Sequence, residues 1–116
     1  MIVRFGETHA ARFSCIKTAR LAEAFGLDCE IHAVGPAHRH VMGAIRNSNF
    51  YEVALVGPDC PNTVPPVYAC GYSDQIDCID ADGMVPVPTG PGLGVTYDWD
   101  FINAHTKQKH VFDAKK

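Results

Sequence analysis

Within the first 56 residues, short β-branched and aromatic runs alternate with amphipathic stretches, at intervals of roughly 20 to 25 residues. "MIVRF" (1–5) reads as a strand. "SCIKTARLAEAFG" (14–26) reads as a helix, with Ser14 placed to cap it, an apolar stripe of Ile16, Ala19, Leu21, Ala22 and Phe25, and Gly26 as a left-handed stop. "LDCEIHA" (27–33) is a second strand. Gly35-Pro36 then opens a second helix, "PAHRHVMGAIRN" (36–47), because a proline has no amide to lose in a first turn. "FYEVALV" (50–56) is a third strand, and its unbroken apolar character suits burial on both faces. Strand, helix, strand, helix, strand is the pattern of βαβ units on a parallel sheet. Three such strands alone would leave two open edges and an uncovered face, so the sheet needs more protein to complete it.

Past residue 56 the alternation stops. "GPDCPNTVPPVYACGYSD" (57–74) reads as a long irregular connection. Asp82-Gly83, between two apolar segments in "IDADGMVPVP", is a hairpin signal. "TGPGLGVTYD" (89–98) is a glycine-rich loop. It does not join a strand to a helix inside a βαβ unit, so a tight chain reversal explains it better than a dinucleotide cradle. "DWDFINAH" (98–105) is a short helix capped by Asp98. Two regions follow: βα units over 1–56, and an extension over 57–116.

A chain of 116 residues is one small domain's worth, and 47% apolar content is ordinary for a folded one. A net charge of -3 gives no reason to expect nucleic acid or an anionic membrane as partner. No apolar run approaches the roughly 18 residues that a membrane-spanning helix requires. The first residues carry no charged-then-apolar leader, so a cytoplasmic location is expected. The five cysteines (Cys15, Cys29, Cys60, Cys70 and Cys78) are odd in number and form no C-x-x-C pair, which suits free thiols over a zinc site or a disulfide framework.

His32 and Glu52 stand out as candidates for chemistry. Each falls on a predicted strand, and the ligand of a parallel α/β protein is enclosed by the loops at the carboxyl ends of its strands. A histidine and a carboxylate converging on one small molecule can move a proton. The same residues also fit a satisfied core histidine and a buried carboxylate paired with an arginine such as Arg39. His38 and His40, two positions apart on a helix, cannot share a face and make a poor metal pair. No serine, histidine and aspartate set or nucleophile elbow is present.

Three ordered segments, "LAEAFGLDCEIHA", "AIRNSNFYEVALV" and "DGMVPVPTGPGLGV..D.D", resemble the C-terminal part of the mandelate racemase and muconate lactonizing enzyme family, within the enolase superfamily. The resemblance covers roughly residues 14–103, and is nearest to the sugar-acid dehydratase-type members. It implies an α/β fold that is a partial (β/α)8 TIM barrel, about strands 6 to 8, followed by the irregular and hairpin extension. "PVPTGPGLGV" is similar to the segment with which this family leaves the barrel.

The resemblance further implies removal of the proton α to a carboxylate, on a small hydroxy-acid or sugar-acid substrate, with Mg²⁺ holding the charge that develops. His32 would be the base, or the acid assisting departure of a hydroxyl, and Glu52 would face the substrate carboxylate from the next strand. The family's metal ligands come from earlier strands, and no position here matches them. Where the family pairs its histidine with an aspartate this chain aligns Phe5, and "AARF" (10–13) replaces a small-residue turn. The expectation is therefore the C-terminal part of a metal-dependent lyase or racemase, without metal ligands of its own. The alternative is a truncated, inactive chain that at most self-associates through its open strand edges.

Overall fold

The computed structural model describes residues 11–53 and 67–111. The expected first strand, the second half of the third and most of the proline-rich connection lie outside the described residues. Among those described there are three α-helices, α1 (Ala11–Ala24), α2 (Pro36–Ala44) and α3 (Trp99–His105), and a short 3₁₀ turn at Ile76–Cys78. None of these helices is long and apolar enough to cross a membrane.

The C-terminus of α1 closes as the glycine predicts. Gly26 sits at φ 67°, the Gly26 amide donates to the Glu23 carbonyl (2.9 Å), and the Leu27 amide reaches back to Ala22 (2.9 Å). Two of the carbonyls that a helix end leaves without partners are thereby satisfied. The buried stripe of α1 differs from the expected one. Cys15, Ala19 and Ala22 are buried, whereas Ile16, Leu21 and Phe25 are exposed, Phe25 at 73%. The small side chains let α1 lie close over Cys29, Ile31 and Ile45, with Val41 and Met42 of α2 packed against the same cluster. Spacing three and four apart suits both stripes, so only the packing partner decides between them.

The expected second strand and the described part of the third, residues 50–53, are extended, but no strand ladder forms among the described residues. Residues 29–33 and 47–52 nevertheless run side by side in the same direction. The Cys29 amide donates to the Asn47 carbonyl at 2.7 Å, the amides of Asn49 and Phe50 donate to the Glu30 carboxylate, and the Ala33 amide donates to the Glu52 carboxylate. The ladder is missing for a physical reason: side-chain carboxylates take the backbone donors that neighbouring carbonyls would take in a parallel sheet. Burial still alternates along this segment, with Cys29 and Ile31 inward and His32 outward, which is the two-residue period of a strand. Asn47 secures the α1 side through its amide nitrogen, which donates to the Ala19 and Leu27 carbonyls, both at 3.0 Å.

The second helix ends at Ala44, with Ile45 extended, short of the expected residue 47. The extension then lies along it. Arg39 donates to the Pro86 carbonyl (3.1 Å), a side chain placed at Gly43 would press on Val87, and His40 meets the Leu93 carbonyl (3.1 Å). The Asp82-Gly83 signal produces its turn, with the Asp80 amide donating to the Met84 carbonyl and the Asp80 carboxylate taking the amides of Asp82 and Met84. No strands flank it among the described residues. The glycine-rich loop is a tight reversal in which Gly94 (φ 68°) lies against Pro88. Residues 67–69 and 96–98 meet through one antiparallel bridge, Tyr68 to Tyr97. The Asp98 carboxylate caps α3 by accepting from the Phe101 amide at 2.8 Å.

Candidate functional site

The parallel course of the two extended segments brings His32 and Glu52 together. The Nδ1 of His32 lies 2.7 Å from Oε2 of Glu52, and the same oxygen accepts the Ala33 amide at 2.7 Å. Both side chains are close to half exposed, 45% and 46%. Arg39 is elsewhere, so a pairing between Glu52 and Arg39 is not what the fold adopts.

A contact this exposed adds at most about 1 kcal/mol to stability, whatever the charge on the ring. Stability therefore does not explain the local backbone, where Ala33 is held at φ 83°, a left-handed conformation that a side chain disfavours. Strain of this kind persists only where the surroundings over-determine it, and it concentrates at functional sites. Chemically, a carboxylate on Nδ1 orients the ring and leaves Nε2 as the nitrogen able to exchange a proton.

Behind this pair lies a buried polar cluster that the sequence did not single out. Arg39 is 4% exposed and Asp74 is 5% exposed. Their side chains pair at 2.9 Å, and Arg39 also donates to the Ser73 carbonyl. The guanidinium stacks on Tyr51 (4.9 Å to the ring centre) and Tyr72 (4.5 Å). Asp74 Oδ1 accepts the Tyr51 hydroxyl at 2.5 Å and the Tyr72 hydroxyl at 2.7 Å. Burial and the Asp74 carboxylate raise both phenols above the usual tyrosine range. Burial works against the Arg39 charge, but Tyr51, Tyr72 and Asp74 outweigh it and hold the guanidinium firmly protonated.

A cleft of about 480 Å³ opens beside this cluster, lined in part by Arg39, Cys70, Tyr72, Ser73, Asp77 and Cys78. Among the described residues Cys15, Cys29, Cys70 and Cys78 are free thiols, and Cys60 lies outside them. Burial raises the Cys15 and Cys29 thiols, which makes them poor nucleophiles. Among the described residues no group of three histidine, cysteine, aspartate or glutamate side chains is placed to hold a metal ion.

In comparison with known proteins, a family model described as enolase C-terminal domain-like matches residues 13–101. No curated protein and no solved structure matches the chain.

Proposed function

The chain belongs to the enolase C-terminal domain-like family, whose domain is part of a (β/α)8 barrel, and from that premise we propose that it serves the removal of a proton α to a carboxylate. The proposed setting is the C-terminal part of an acid-sugar dehydratase or a racemase of mandelate racemase type, acting in the cytoplasm on a small hydroxy acid or sugar acid. One observation carries the reading: within the family match, His32 and Glu52 form a half-exposed pair, 2.7 Å apart, beside a strained residue.

In this reading Glu52 holds the His32 ring through Nδ1, and Nε2 accepts the α-proton. Positive charge appears on the ring as the proton arrives, and the neighbouring carboxylate offsets it. In dehydration the same imidazolium returns its proton to the departing hydroxyl. Mg²⁺ is the metal expected of a complete enzyme of this kind, where it would stabilise the enediolate. The described residues do not supply its ligands, so these would have to come from other parts of a complete barrel.

The measurement is exchange of the α-proton with solvent deuterium in a complete barrel that contains this segment, followed by NMR on a panel of hydroxy acids and sugar acids with Mg²⁺ present. His32→Asn is expected to lower exchange by at least about 100-fold, the usual worth of a positioned acid or base. Normal exchange in that variant would remove His32 from the mechanism.

A second reading, an inactive chain that associates with itself, is favoured by the apolar side chains left in water. Leu21 is 61% exposed, Phe25 73% and Phe50 78%. Absence of exchange together with concentration-dependent sedimentation is the outcome that supports it. Exchange catalysed by a monomer excludes it.

A further inference from the structure

Resting on the reading of His32 and Glu52 as the proton-transfer pair, we propose that Tyr51 is the positioning residue for that pair, with Asp74 and Arg39 as its anchor. Two hydrogen bonds bracket the left-handed Ala33. Its own amide donates to Glu52 Oε2 at 2.7 Å, and the Gly35 amide donates to the Tyr51 hydroxyl at 2.8 Å. The two acceptors belong to consecutive residues, so one extended segment grips the 33–35 loop twice. Glu52 is half exposed and its chain is flexible, so it does not by itself fix where the loop runs.

Tyr51 is of a different kind. Its hydroxyl donates to Asp74 Oδ1 at 2.5 Å, and its ring lies against the Arg39 guanidinium. Asp74 is in turn held by Arg39 at 2.9 Å and by the Tyr72 hydroxyl at 2.7 Å. Buried side chains that hydrogen-bond one another rigidify what they touch. The phenol oxygen is thus the point where a rigid buried cluster meets the loop that follows His32. Without that oxygen the Gly35 amide has no acceptor there, and Ala33 is free to relax toward extended backbone. Relaxation turns the Ala33 amide away from Glu52, and the setting of the His32–Glu52 contact is lost. Tyr51 touches no reacting atom; it acts through Gly35 and Ala33.

The test is ¹⁵N NMR of the His32 ring in the full chain, comparing wild type, Glu52→Gln and Tyr51→Phe. Glu52→Gln is expected to displace the Nδ1 resonance, because it changes the group that the nitrogen faces. Tyr51→Phe is expected to displace it in the same direction by a comparable amount, with helix content by circular dichroism unchanged. A Tyr51→Phe resonance at the wild-type position, with Glu52→Gln displaced, overturns the positioning role and leaves the pair intact. A resonance that Glu52→Gln does not move removes the pair itself. Should Tyr51→Phe fail to fold, hydrogen exchange in the wild type decides: the Ala33 and Gly35 amides are expected to be protected as well as those inside α2. Exchange of those two amides at the rate of unstructured chain overturns the proposal.

Discussion

Arg39 is a charge that folding removes almost wholly from water, and its place in the structure depends on Asp74. A buried ion pair roughly balances desolvation against attraction, but removing one partner leaves the other charge uncompensated. Asp74→Ala is therefore expected to destabilise the chain by about 3–5 kcal/mol. The Arg39→Met, Asp74→Leu double variant should be far closer to wild type. Urea unfolding of the three proteins checks this, and a double variant no more stable than Asp74→Ala would sink it. Arg39 was hard to read in the sequence because it lies between two histidines on a short helix. Its partner lies 35 residues downstream, in a stretch whose glycines and prolines suggest only a connection. His32 and Glu52 were easier to find. Each sits on an extended run, and parallel pairing of those runs suffices to bring their side chains together.

Three sites that depend on local chemistry came out as their residues predict, the Gly26 stop of α1, the Asp98 cap of α3 and the reversal around Gly94, whereas Ser14, expected to cap α1, lies inside a helix that already includes Ala11. Two glycines in that reversal separate backbone strain from crowding. Gly92 (φ 65°) has nothing within 4 Å of where a β-carbon would stand, whereas at Gly94 (φ 68°) the Pro88 carbonyl carbon is 2.8 Å away. Gly92→Ala is expected to cost about 1–2 kcal/mol, the penalty of the left-handed conformation alone. Gly94→Ala adds a clash with backbone that cannot swing aside, so its thermal midpoint should fall well below that of Gly92→Ala. Equal midpoints would mean that the loop shifts freely. The strands and the inward face of α1 depend on partners instead of local chemistry, and there prediction was less successful. Leu21 and Phe25 have the spacing of a buried stripe but no described partner, so Cys15, Ala19 and Ala22 take the inward place.

At the scale of the whole molecule, the buried apolar cluster among the described residues consists of six residues, and its three α1 members are no larger than cysteine. Around it the chain is tied by polar contacts, and those titrate. Burial acts to raise the Glu30 carboxyl, but hydrogen bonds from the amides of Asn49 and Phe50 and the side chains of Ser48 and Asn49 outweigh it and hold it below its ordinary value near 4.5. Arg20 and Arg46 hold Glu23 low as well. A carboxyl lowered on folding adds stability that is present above its unfolded value and is lost as the pH falls through its folded one. At the other end, burial raises the Cys15 and Cys29 thiols, Tyr51, Tyr72 and Tyr68, the last to about 12. Groups raised on folding stabilise fully below their unfolded values and cease to do so as the pH climbs through the folded ones. Urea midpoints are therefore expected to be flat across neutrality, to fall below about pH 4.5 and to fall again above about pH 9, where thiols and then phenols ionise first in the unfolded chain. Glu30→Gln should lower the neutral plateau and make the acid limb shallower, while leaving the alkaline limb where it is. An acid limb of unchanged depth in that variant would show that Glu30 does not tie the two extended segments together as its four hydrogen bonds indicate.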